Sequence, residues 1–177
     1  MDHLITKIKN TSLSEPSSPW EKVGAFAIGG MRALGYSECS RYLLVETSDG
    51  RGLFDCQTGE KISRDRSEYA NQELQLLCEG IGPIERELVR MSGLSGGGLI
   101  NLTSDGWQIE IVSESWPRYQ VLLIEPGSSL YGAKYNRPDK FYKIWSGYEL
   151  RGAGFSYDGK TLCIGESSDL VMYSRGV

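Results

Sequence analysis

The stretch whose residue types could support covalent chemistry is Gly93-Leu94-Ser95-Gly96-Gly97, a literal G-x-S-x-G. In serine hydrolases this pattern forms a nucleophile elbow. The serine sits on a sharp turn between a strand and a helix, and a histidine takes its proton. Neither companion is legible here. Gly96-Gly97-Gly98 is a poor helix start, because each glycine raises the entropy lost on ordering. Leu99-Ile100, which follow, have strand character. The single histidine is His3, whereas the hydrolase order places histidine after the serine. The expectation for 93–98 is a curved glycine loop, with Ser95 as a hydrolase nucleophile kept as an alternative.

Other chemistry finds less support. A phosphate loop needs Lys and then Ser or Thr directly after its last glycine, but Leu99-Ile100 stand there. One histidine and four dispersed cysteines, with no C-x-x-C pair, do not build the usual zinc sites. No D-x-D-x-D-G calcium loop is present. Glu110 and Glu114 have the residue type of a glycosidase pair, but among 23 acidic residues such a pair arises by chance. The chain is therefore expected to be no enzyme, with no catalytic residue, no metal ligands and no cofactor.

The bulk numbers fit one ordinary domain over 1–177, long enough to bury a core without metals or disulfides. Twenty-two glycines, ten tyrosines and four tryptophans favour short strands joined by tight turns. The net charge is −4, and no Lys/Arg run marks a phosphate-binding surface, so direct binding of nucleic acid is not expected. Cys39, Cys56, Cys78 and Cys163 sit among apolar or strand-like neighbours, which suits buried free thiols in a reducing, cytoplasmic setting. Neither a signal peptide nor an apolar run long enough to span a bilayer is visible, so no membrane partner is expected.

Residues 1–19 read as a short N-terminal element and a Ser/Pro-rich loop. Arg41–Glu46 and Gly52–Cys56 flank Ser48-Asp49-Gly50, a hairpin turn that tolerates positive φ. One main helix is expected near 66–79, capped by Asp65 and Glu68, with Ala70, Leu74, Leu77 and Cys78 on one face and Gly80 and Gly82-Pro83 as its stop. Strands resume at Leu99–Leu102, Trp107–Ile111, Gln120–Ile124, Phe141–Trp145 and Glu149–Arg151. The expected class is α+β, mostly β, built of antiparallel hairpin sheets.

Part of the hairpin recurs near the C-terminus. Gly154-Phe155-Ser156 matches Gly35-Tyr36-Ser37, and Lys160–Ile164 matches Arg41–Val45. Phe155-Ser156-Tyr157-Asp158-Gly159-Lys160-Thr161-Leu162 resembles a phrase common in β-propeller blades. Two copies fall short of the roughly four blades a closed propeller needs, so they are expected to be similar hairpins in one sheet system. That resemblance implies, as one alternative, a scaffold or adaptor module.

Trp116-Pro117-Arg118-Tyr119 and the tyrosines after Gly127 are dense around irregular connections. Trp, Tyr and Arg carry protein interfaces, so a partner-binding patch including some of Trp116, Tyr131 and Tyr135 is expected. In size, acidity and mixture of strands with one helix, the chain resembles the immunity proteins of bacterial contact-dependent growth-inhibition systems. That resemblance implies a protein partner, a cognate toxin domain such as a nuclease. The chain would neutralise it by covering its active site or a nearby surface.

Overall fold

Strands such as Leu43-Leu44-Val45 and Leu162-Cys163-Ile164 are continuously apolar because both of their faces are buried. The computed structural model describes residues 2–67 and 76–176 and shows what covers each face. Alternation sends Leu162 and Ile164 of one strand into one core and Cys163 into the next. Leu43 and Val45 likewise join one core while Leu44 joins another.

The architecture is mostly β, with antiparallel hairpin sheets. The central sheet has four strands. It pairs β1 (Trp20–Ala27) with three strands from the C-terminal part of the sequence, in the order β1-β14-β13-β12. These are β12 (Leu150–Phe155), β13 (Thr161–Glu166) and β14 (Asp169–Arg175). A three-stranded sheet of β9 (Gln108–Ser115), β10 (Arg118–Ile124) and β11 (Phe141–Gly147) shares one core with it. In that core Trp20 stacks on Phe155 at 5.5 Å and meets Trp107 edge-on at 5.8 Å.

The second core joins Cys163, Leu170 and Met172 to Leu34, Leu43, Val45 and Phe54 of a five-stranded sheet. Its strands are β2 (Met31–Tyr36), β3 (Tyr42–Thr47), β4 (Gly50–Asp55), β5 (Lys61–Asp65) and β8 (Ser92–Gly93), ordered β5-β4-β3-β2-β8. Leu44 and Leu53 pack into a third core with Cys78, Ile81, Ile84 and Val89. These come from the hairpin of β6 (Leu77–Glu79) and β7 (Leu88–Arg90) and its turn. Each fully buried Leu in these layers contributes about 1.5–3 kcal/mol. Helix α1 (Asp2–Asn10) lies by the three-stranded sheet, with Ile8 buried and Lys7 paired to Asp139.

The two similar hairpins lie in two different sheets packed together through the second core. Two expectations change. Leu99–Leu102 forms no strand; it makes only isolated bridges, Ile100 to Phe155 and Leu102 to Gln108. The expected helix over 66–79 is not seen where that range is described: Leu77–Glu79 is strand β6. The glycines read as its stop instead turn β6 into β7, Gly80 donating its N–H to the Glu87 carbonyl. Asp65, read as its cap, ends β5 and accepts bonds from Ser67 and Arg51. Residues 68–75, with Glu68, Ala70 and Leu74, lie outside the described residues.

Candidate functional site

The recurring phrase is a turn with fixed chemistry. Ser37 and Ser156 each accept the N–H five residues on, from Tyr42 (3.1 Å) and Thr161 (3.0 Å). A third copy closes at Thr103, whose hydroxyl accepts the Trp107 N–H at 2.9 Å. In every copy the residue two positions on reaches back to the hydroxyl: Cys39 at 3.3 Å, Asp105 at 2.7 Å and Asp158 at 2.6 Å. The residue three positions on is left-handed: Ser40 (φ 62°), Gly106 (φ 99°) and Gly159 (φ 69°).

The three turns are tied together. Ser40 Oγ accepts the Asp158 N–H at 3.1 Å. Arg175 donates to the Gly159 carbonyl at 2.8 Å and to both Asp105 carboxylate oxygens at 2.5 and 2.8 Å. Its guanidinium also lies 5.0 Å from the centre of the Trp20 ring, a cation–π contact. The fork of Arg175 and the Thr103 hydroxyl hold Asp105 well below the ordinary carboxylate range.

Two of these turns build a cleft of about 530 Å³. The glycine before each aromatic lets another segment approach. A Cβ at Gly35 would stand 2.2 Å from the Arg90 carbonyl oxygen, and one at Gly154 would stand 2.6 Å from that of Ile100. The segments so admitted, around 88–90 and 98–100, wall the cleft. The aromatics Tyr36 and Phe155 are buried at its floor, and the residues two positions on, Glu38 and Tyr157, reach its rim. Leu88 and Tyr157 are each 50% exposed on it. Glu87 accepts the Glu38 backbone N–H at 2.6 Å, fixing one wall to the first turn. Burial raises the Tyr36 phenol well above its ordinary value, and its hydroxyl donates to the Gly154 carbonyl at 3.4 Å.

The glycine-rich loop after β8 has no elbow geometry. Gly93 and Gly96 exchange backbone hydrogen bonds at 2.9 and 3.1 Å around Leu94 and Ser95. Gly96 and Gly97 have φ of 105° and 85°, and no helix follows. Ser95 lines a small recess with Arg32, Glu46 and Leu77, whereas His3 lines another cleft with Lys7, Tyr131 and Asp139. The structure does not bring them together.

Trp116, Tyr131 and Tyr135 are 79%, 61% and 65% exposed. They do not form one patch. Trp116 follows β9 at the turn into β10, and the tyrosines lie in the connection from β10 to β11. The seven residues of β10, about 20 Å at roughly 3.3 Å each, stand between them. Cys56, Cys78 and Cys163 are buried free thiols, Cys163 pushed up to about 12 by burial, but Cys39 is exposed. Among the described residues no three His, Cys, Asp or Glu are gathered to hold a metal. No described helix is long and apolar enough to cross a membrane.

Sequence reasoning placed a turn at Ser104-Asp105-Gly106 but missed its likeness to the other two, and it missed Leu88. The hydroxyl residue, the Asp two positions on and the Gly three positions on were the available signal for that likeness. Compared with known proteins, the chain matches no family model and no curated protein.

Proposed function

We propose that this chain acts by binding a protein, and that the partner is a toxin domain it neutralises, as in the immunity proteins it resembles. The observation that carries the binding reading is the cleft. Tyr157, on a turn tied to its counterpart by a hydrogen bond, and Leu88, on β7, stand half-exposed beside buried Tyr36 and Phe155. Apolar and aromatic groups held rigid at a concave surface lose little entropy on association and make good anchors. The net charge of −4 favours encounter with a basic face, such as that of a nuclease, and not with nucleic acid itself. Free thiols suit action in the cytoplasm.

Co-expression with a toxin domain encoded beside this chain tests the reading. Restored growth, with a one-to-one complex by calorimetry, is the expected result. Undiminished toxicity without measurable binding would remove it.

A scaffold module related to propeller blades is a second reading, favoured by the three repeated turns and by β1 completing a sheet of C-terminal hairpins. Light scattering separates the two readings: a self-associated ring supports the scaffold, and a monomer supports the inhibitor.

A further inference from the structure

A second cleft, between α1 and the β10–β11 connection, plays no part in that reading. We propose that it binds a small amphiphilic monoanion, a carboxylate carried on a short acyl or aromatic body. Its volume is about 490 Å³, within the roughly 300–1,000 Å³ of small-molecule sites. Leu4, Leu130, Ala133 and the Tyr131 ring give it largely apolar walls, with His3, Lys7, Lys134 and Asp139 as the polar groups.

The cleft is built before any ligand arrives. Its loop closes on itself: Ser129 N–H donates to the Pro138 carbonyl at 3.0 Å, and Arg137 N–H to that of Gly132 at 2.9 Å. A Cβ on Gly132 would stand 2.1 Å from the Pro138 carbonyl oxygen, so this close crossing requires glycine. Lys7 ties the helix to the loop, pairing with the Asp139 carboxylate and donating to the Asp139 carbonyl at 3.0 Å. A preformed apolar cleft needs no ordering on binding.

Charge selects the head group. Asp139 answers one of the two lysines. Lys134, 5.7 Å from the centre of the Tyr135 ring, has no carboxylate partner among the described residues. The ammonium of Lys7 has three donors, of which Asp139 engages two. Arg137 lies on the same loop, while Lys140 there is paired with Glu125 at 3.9 Å. In a protein of net charge −4 this corner reverses the local field, drawing an anion and repelling a cation with the same tail.

Calorimetry on the full chain tests this, using sodium decanoate below its micelle concentration and decyltrimethylammonium as the matched cation. Decanoate is expected to saturate one site and to bind at least tenfold tighter than the cation. Lys134→Glu is expected to weaken decanoate at least tenfold. Ala133→Trp, at an exposed position, is expected to fill the cleft and abolish binding. No saturable binding of decanoate, equal binding of the two amphiphiles, or wild-type affinity in Ala133→Trp would overturn the proposal. Thermal melts check each variant. If Ala133→Trp fails to fold, Lys134→Glu decides, and an unchanged decanoate affinity there overturns the proposal.

Discussion

The turn at 36–42 and the turn at 155–161 share the Ser37/Ser156 hydroxyl that closes them, but differ at the two positions after the rim residue. The second uses Asp158 and Gly159, while the first uses Cys39 and Ser40 at the same places. Gly159 takes its left-handed φ without penalty, whereas an L-residue such as Ser40 pays about 1–2 kcal/mol for it. Ser40 has a compensating contact, because its hydroxyl accepts the Asp158 N–H of the other turn. The first turn has thus given up local comfort for a bond that fixes the second. Their rim residues, Glu38 and Tyr157, both line the cleft.

The largest test of this comparison is at the glycines. Gly35→Ala and Gly154→Ala each push a Cβ into a backbone carbonyl and are expected to cost about 3 kcal/mol, read as a lowered urea midpoint. A loss below about 1 kcal/mol at either would show that its wall segment can move away.

Removing the turn hydroxyls sharpens the contrast. Ser156 holds both Asp158 and Thr161, so Ser156→Ala should cost about 2 kcal/mol. Ser37→Ala should cost about 1 kcal/mol, because its second contact is the weak one to the Cys39 sulfur. Equal losses would dissolve the distinction.

At Ser40, Ala keeps the left-handed strain and loses the hydroxyl, while Gly loses the hydroxyl and relieves the strain. Ser40→Ala should therefore be less stable than Ser40→Gly by about 1 kcal/mol in the same denaturation assay.

The smallest expected effect is one of pH. Asp105 has a lowered folded-state pKa, from Arg175 first and Thr103 next. Its stabilisation is complete above the unfolded value, near 4, and is lost as pH falls through the folded one. The side chain is half exposed, so the effect stays below about 1 kcal/mol. Asp105→Asn should flatten stability against pH below 4, and an unchanged slope would place the acid sensitivity elsewhere.

Much of the sheet structure was legible because its signals are local. Asp49-Gly50 marked a hairpin, and the apolar runs at Leu43–Val45 and Leu162–Ile164 marked strands buried on both faces. The two similar hairpins were visible for the same reason. The cleft was not, since its walls at 88–90 and 98–100 come from segments distant in sequence from both turns. Leu88, a lone exposed apolar residue, has no periodic signature. The stretch after Asp65 carries helix-like spacing, yet its described end pairs as β6 with β7, where Cys78 and Val89 fill the third core. Tertiary packing overrode the local pattern there.

If the paired turns present a binding cleft to the proposed toxin partner, the most direct measurement is the affinity of cleft variants for a toxin domain encoded beside this chain. Leu88→Asp combined with Tyr157→Ala should weaken binding by at least tenfold while leaving the urea midpoint unchanged, and Trp116→Ala should bind as the wild type does. Undiminished affinity in the double variant, or a greater loss in Trp116→Ala, would contradict that proposal.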